Sequence, residues 1–462
     1  MSTPAKPNPG VSRRSFLGAS GLGAAGLLGT GLPRAKGADR PAGGTRPRNL
    51  VLMISDGMSI GALQLAELMK QQQGRGRTHW LSLIDRGDAR TGLMTTDSAS
   101  GPVTDSAAAG TAFSTGLRTT NGALCVLPDG SQAVPLILRA RERGFRSGLV
   151  STAYLTHATP AAFLVNDPVR GEYPRIARQM IDRGCDIALG GGTRYFTDEV
   201  LARSAAKDLR VVQSRDALRT APVDASPMLG IFSPENMAYE IDRDESQPSL
   251  AEMTEVALAH LDALGAPFFL MVEGARIDHA AHANDAAALI HDQIAYDDAL
   301  AVGLQFCDGR DDTLLISTTD HGNANPGLAS YAEEGVRRFK VMDRSRHSFE
   351  WMGARLHEAG DWTPEAVGGL LSETAGVTLT DHDMTVLARV LSKKPADAYE
   401  KADNLMSVAG AILANHHGVA FCSPTHTSDH VVITSVGTGS ASMPTLGHIA
   451  DYHDWYTGLI GV

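Results

Sequence analysis

The chain has 462 residues, enough for one large domain or two. Hydrophobic residues make up 43% and charged residues 20%, which excludes a disordered or fibrous chain. The formal net charge of −11 speaks against a nucleic-acid-binding surface, which needs a basic face.

Residues 1–38 stand apart. Ser12-Arg13-Arg14-Ser15-Phe16-Leu17 precedes a weakly apolar run from Gly18 to Leu32. A twin arginine, a short apolar stretch and small residues after it form the pattern of a twin-arginine export signal. Ala35-Lys36-Gly37 offers a small-residue cleavage site. The run is too short and too rich in glycine to span a membrane, which takes about 20 apolar residues. Its five basic residues (Lys6, Arg13, Arg14, Arg34, Lys36) would leave with it, taking the net charge to −16. The expected location is periplasmic or secreted. An anionic substrate of so acidic a chain needs strong local positive charge, which bound metal ions can supply. Cys125, Cys185, Cys307 and Cys422 lack CxxC spacing, so metal binding through them is not expected. Disulfides are permitted in an oxidising compartment, and three pairings stay open.

Asn49 to Ser55 is a continuous apolar run ending in Asp56-Gly57, the pattern of a buried parallel strand and a turn. Ile60 to Lys70 follows as a helix. In Val103-Thr104-Asp105-Ser106-Ala107-Ala108-Ala109-Gly110-Thr111 a serine stands where an irregular segment should become a helix. Ser106 is there a helix cap, an anion contact or a nucleophile, because a helix start favours both serine and bound anions. Phe145 to Thr152 is a second strand, feeding Thr156-His157-Ala158-Thr159-Pro160. A helix over 249–264 leads to a third strand, Pro267 to Val272, which ends at Glu273-Gly274. A helix over 285–304 leads to a fourth, Thr313 to Thr319, which ends at Asp320-His321-Gly322. Residues about 328–415 read as helices and loops, an insertion or cap carrying Trp351, Trp362 and the basic run Arg337-Arg338-Phe339-Lys340. Val431 to Val436 is a last strand. Strands alternating with helices indicate an α/β fold: a central, mostly parallel sheet with helices on both faces.

Three strands end in an acid. Ligands of open α/β sheets bind beyond the carboxyl ends of the strands, so Asp56, Glu273 and Asp320 should gather along one edge. Asp278 and His282, at i and i+4, lie on one face of a helical turn and can share a zinc ion. Adjacent Asp320 and His321 can reach one ion through a turn, and His426 offers a distant further ligand, with His416, His417 and His430 competing on composition.

These residues resemble the alkaline phosphatase family across residues 48–462. The likeness rests on Asp105-Ser106-Ala107, Ile54-Ser55-Asp56-Gly57-Met58, Asp186-Ile187-Ala188-Leu189-Gly190-Gly191-Gly192, Pro248-Ser249-Leu250-Ala251-Glu252-Met253-Thr254, Glu273-Gly274-Ala275-Arg276-Ile277-Asp278 and Thr319-Asp320-His321, in family order. The resemblance implies one catalytic domain over 39–462 and a family-like fold. It assigns Asp278, His282 and His426 to one zinc ion, and Asp56, Asp320 and His321 to a second, with deprotonated Ser106 as a further ligand. It assigns Asp56, Thr159 and Glu273 to a third metal, usually magnesium. Arg170, thirteen residues after His157, stands where the family grips phosphate, with Asp105 to orient it. Implied too is hydrolysis of small phosphate monoesters by double displacement through a phosphoserine, with net retention at phosphorus. Homodimers are common in the family.

Two positions depart from the best-known bacterial pattern: His157 replaces Asp, and His279 replaces Lys. His157 is expected to ligate or border the third metal, where nitrogen favours zinc or cobalt relative to magnesium. His279 is expected to titrate where Lys would carry a fixed charge. A sulfatase of the same superfamily needs a Cys/Ser-x-Pro-x-Arg setting, whereas Ala-Ala-Ala-Gly follows Ser106. Phosphodiesterase relatives usually carry Thr as nucleophile and lack the Arg. A silent phosphate-binding protein should have lost Ser106, Arg170 or a ligand, and none is missing.

Overall fold

The computed structural model describes residues 46–462 except 206 and 207; the twin-arginine segment and its cleavage site lie outside the described residues. Fourteen strands form in chain order among these residues. They are β1 (Asn49–Ser55), β2 (Arg90–Thr95), β3 (Arg146–Tyr154), β4 (Ile187–Gly191), β5 (Arg210–Val212), β6 (Met228–Ile231), β7 (Phe268–Gly274), β8 (Thr313–Thr318), β9 (Gly322–Asn323), β10 (Gly327–Leu328), β11 (Val419–Ala420), β12 (His426–Thr427), β13 (Val431–Gly437) and β14 (Leu446–His448). Ten make one sheet in the order β14-β2-β13-β8-β1-β7-β3-β4-β6-β5. Only the two pairings of β13 in this sheet are antiparallel. The mostly parallel α/β sheet expected from sequence is present.

The strand sequences explain why the sheet is covered on both sides. Along β1, Leu50, Leu52 and Ile54 pack into one core while Val51 and Met53 pack into the other, all fully buried. Side chains alternate across a strand, so a continuous apolar run feeds both faces. Helices Ile60–Gln72, Leu250–Ala263 and Ala286–Cys307 cover the first face. Helices Ser106–Thr115, Leu136–Glu142 and Ile449–Ile460 cover the second. Each fully buried Leu, Ile or Val contributes about 1.5–3 kcal/mol.

Five helices fill the region read as an insertion: Ala332–Phe339, Phe349–Ala359, Pro364–Ala375, Asp381–Leu391 and Leu405–His417. The last four share their own apolar cluster around Met352, Leu356, Val367, Leu371 and Leu387. Asp285 ties this region to the sheet, accepting the backbone N–H of Phe349 at 2.6 Å. The four cysteines are unpaired, so none of the three disulfide pairings forms. Among the described residues no helix is long and apolar enough to cross a membrane.

Candidate active site

The central strands end side by side. Ile54 pairs with Glu273 on one side and Thr318 on the other, and Ser151 of β3 also pairs with Glu273. This register brings Asp56, Glu273 and Asp320 together, each 0% exposed. The turn after β1 is closed by the Gly57 N–H, which donates to Asp320 Oδ1 at 3.0 Å. Gly57 has φ +68°, and a Cβ there would strike the Asp278 carboxylate. Only glycine suits both the conformation and the close approach.

Ser106 is not the helix cap. Asp105 takes that position, accepting the Ala108 N–H at 3.0 Å, and Ser106 is the first residue of the helix Ser106–Thr115. The longer carboxylate reaches the free N–H, which releases the serine hydroxyl. Ser106 Oγ lies 3.3 Å from His321 Nε2 and is 1% exposed. The other Asp105 oxygen accepts from the Gly122 N–H and from Arg170 Nη1, both at 2.9 Å. Asp105 thus ties Arg170 to the helix start that carries Ser106.

Three acid and histidine groups are close enough to hold a metal ion each: Asp278 with His321 and His426, Asp56 with Asp320 and His321, and Asp56 with His157 and Glu273. The antiparallel pair β9–β12 delivers His426, which lies opposite Asn323. His416, His417 and His430 are in none of these groups. His282 Nδ1 faces the Pro424 carbonyl at 2.7 Å, and His426 Nδ1 faces the Thr104 carbonyl at 2.8 Å. A carbonyl can only accept, so both rings carry a proton on Nδ1. Their Nε2 atoms then face each other at 2.9 Å, and each lies 3.4 Å from an Asp278 oxygen. Two facing Nε2 atoms beside a carboxylate call for a cation, either a proton on one ring or a metal ion between them.

Charge and burial give the same account. Both Asp56 oxygens, Glu273 Oε1, Asp320 Oδ2, Thr159 Oγ1 and His321 Nδ1 are buried without hydrogen-bond partners. Burial and then the neighbouring Asp320, Asp278 and Glu273 push the Asp56 carboxyl well above the usual range. Burial pushes Glu273 up to about 7 and Asp320 up to about 6. Burial would lower His426, but Asp278 overrides it and raises the imidazole to about 9. Concentrated buried acids either take up protons or hold metal ions.

Next to the acid cluster, Arg170 Nη2 donates to His157 Nε2 at 3.1 Å, so His157 carries its proton on Nδ1. The His279 ring meets the His157 ring edge-on at 5.4 Å. Burial, then Arg276, push His279 down to about 3, so it stays neutral near neutral pH instead of titrating there.

Sequence reasoning gave no role to two residues that touch these groups. Asn323 donates to Asp278 Oδ1 at 2.7 Å, and Arg276 donates to His279 Nδ1 at 3.0 Å. Arg276 lies inside the Glu273–Asp278 motif and Asn323 two residues after His321, but spacing alone does not mark either as a contact. A fourth group, His79 with Asp297 and Asp298, is equally close. There Lys70 Nζ already sits 2.7 Å from Asp297, so an ammonium supplies the cation.

A protein-family model described as alkaline phosphatase matches residues 47–448. Alkaline phosphatase 4 of Bacillus subtilis is 29% identical over 408 residues, covering 85% of this chain and 84% of its own. Alkaline phosphatase 3 of the same organism is 31% identical over 330 residues, 68% of this chain and 69% of its own. The crystal structure of Thermus thermophilus alkaline phosphatase superposes with a TM-score of 0.83 at 31% identity, covering 90% of this chain and 92% of that one. With fold, sequence and the strand-end acids in agreement, this chain belongs to the alkaline phosphatase family of phosphoric monoester hydrolases.

Proposed function

We propose that the chain hydrolyses phosphate monoesters to an alcohol and inorganic phosphate through a phosphoserine on Ser106. The observation that carries this reading is Ser106 Oγ beside His321, at the edge of an acid cluster and beneath the arginine that its neighbour Asp105 orients.

The donor set fits divalent ions. Asp278, His282 and His426 would hold one zinc, and Asp56, Asp320 and His321 a second; mixed nitrogen and oxygen ligands suit that ion. Asp56, Thr159 and Glu273 would hold a third ion, magnesium by their oxygen donors. His157 would join them only with Arg170 withdrawn from its Nε2, which raises the preference for a softer ion. Bound there, the ions supply the positive charge that lowers the serine pKa and offsets charge on the phosphoryl oxygens.

The chain's own residues do the rest. Arg170 turns its planar guanidinium onto two phosphoryl oxygens, a bidentate grip that Asp105 keeps aligned. Ser106 Oγ gives up its proton and attacks phosphorus in line, and the alcohol oxygen leaves with the bonding pair and takes up a proton. Water then loses a proton and attacks the phosphoserine from the vacated side, the P–Oγ bond breaks with its pair going to Ser106 Oγ, which is reprotonated, and two inversions leave phosphorus with net retention. His279, neutral at working pH, faces the phosphoryl group as a hydrogen-bond donor without the fixed charge of a lysine. The short leader 1–38, read from its twin arginine, would route the folded protein to the periplasm or beyond.

The test is hydrolysis of a chromogenic phosphate monoester at pH 8–10, with a phosphodiester and a sulfate ester alongside. Chelation should abolish activity, and zinc with magnesium should restore it. Faster turnover of the diester or the sulfate by the metal-replete protein would overturn the monoesterase reading.

A further inference from the structure

Arg276 is one of the most deeply buried charged side chains, at 1% exposure. It opens the helix Arg276–His282, which carries Asp278 and His282. Its guanidinium is held on three sides. Nη1 donates to His279 Nδ1 at 3.0 Å, Nη2 donates to Glu350 Oε2 at 2.6 Å, and the guanidinium carbon lies 3.7 Å over the Tyr239 ring. Glu350 belongs to the helix Phe349–Ala359 of the helical region, so a distant segment reaches the candidate catalytic helix through this ion pair.

The chemistry of the contact fixes a proton. A guanidinium donates and cannot accept, so His279 Nδ1 must present a lone pair. The proton of the neutral ring is then on Nε2, where no acceptor among the described residues meets it. The same ring touches His157, whose Nε2 is bonded to Arg170. Thus Arg276 leaves one N–H of His279 free, beside the pair that meets phosphate.

We propose that Arg276 is a positioning residue for phosphate: braced by Glu350 and Tyr239, it holds His279 as the Nε2–H tautomer, aimed to donate to the phosphoryl group that Arg170 grips. This rests on the reading above that His279 faces that group. The guanidinium acts through His279 and touches neither substrate nor metal. Lysine cannot replace it, because its single ammonium cannot reach an imidazole and a carboxylate in the fixed fork geometry.

The experiment is a double-mutant cycle. Inhibition by inorganic phosphate, kcat, KM and bound zinc are measured for Arg276→Gln, Arg276→Lys and Glu350→Ala, each alone and combined with His279→Ala. Glu350 is exposed, so its variant folds even where an Arg276 variant does not. We expect Arg276→Gln to weaken phosphate binding roughly 10-fold and Glu350→Ala about 3-fold, with zinc content unchanged. In the His279→Ala background both effects should shrink to less than about 2-fold, since the interaction they serve is gone. Undiminished effects in that background would overturn the inference and leave the phosphatase reading intact. If His279→Ala alone leaves phosphate inhibition unchanged, the role given to His279 fails and the inference fails with it.

Discussion

Ser106 and Arg170 meet through Asp105, whose carboxylate caps the helix of one and grips the guanidinium of the other. A single acid thus sets the distance between the proposed nucleophile and the proposed anion grip. Ser106→Ala should lower kcat by roughly 10³-fold or more, because it removes the proposed nucleophilic hydroxyl. Arg170→Ala should cost about 10²-fold in kcat/KM, and Arg170→Lys should recover little, since one ammonium cannot match two phosphoryl oxygens. Steady-state kinetics on zinc-loaded variants checks both. At this scale the sequence was legible where a residue's neighbours in the chain are also its neighbours in space. Asp278 and His282, one helical turn apart, were readable from spacing. Glu350 was not: it stands 74 residues from Arg276, and no local pattern joins an exposed helix acid to a buried arginine. Ser106 was half-legible. Its place at a helix start was readable, but the competition with Asp105 for the cap depends on side-chain reach.

Among the elements, β1, β7 and β8 bring their acids together because their registers agree to the residue. The apolar runs named these strands, and the acid after each named the edge of the sheet that matters. Their lateral order was not legible, since β1 lies between two strands more than 200 residues later in the chain. Nor was the short β9–β12 pair, two residues on each side, which carries His426 to the site. Such a pair has too few residues for any periodicity. The turn after β1 allows a direct test. Gly57→Ala forces a Cβ into the left-handed region and against Asp278, at a cost of about 1–3 kcal/mol. The expected outcome is a lower melting temperature together with reduced zinc content, read by thermal denaturation and elemental analysis. A lower melting temperature with full zinc would place the strain elsewhere.

For the whole molecule, acid sensitivity follows from histidines buried neutral far from the acid cluster. Arg139 donates to His453 Nε2 at 2.9 Å while His453 Nδ1 donates to the Phe113 carbonyl at 2.7 Å, which fixes a neutral ring. Burial, then Arg139, push His453 down to about 3, and burial pushes His417 down to about 3. Below pH 6.5 the unfolded chain binds protons that the folded chain refuses. Each such histidine therefore removes ~1.4 kcal/mol of stability per pH unit between 6.5 and about 3. Urea midpoints should fall from pH 7 to pH 5, and His453→Gln should flatten that slope, whatever its effect at pH 7. Metal ions should act in the opposite direction, since ions bound only by the folded state stabilise it by mass action. Fold class was the most legible property of all, because alternating strands and helices leave few other ways to bury two faces of a sheet.

Ser106 is proposed to carry the phosphoryl group between two displacements. The most direct measurement is to mix the zinc- and magnesium-loaded protein with a phosphate monoester, quench in acid within the first turnovers, and map phosphorylation by peptide mass. A phosphoryl group is expected on the peptide that begins the helix Ser106–Thr115, assigned to Ser106 and absent from Ser106→Ala. Rapid turnover by Ser106→Ala, or phosphate trapped on another residue while Ser106 stays bare, would contradict it.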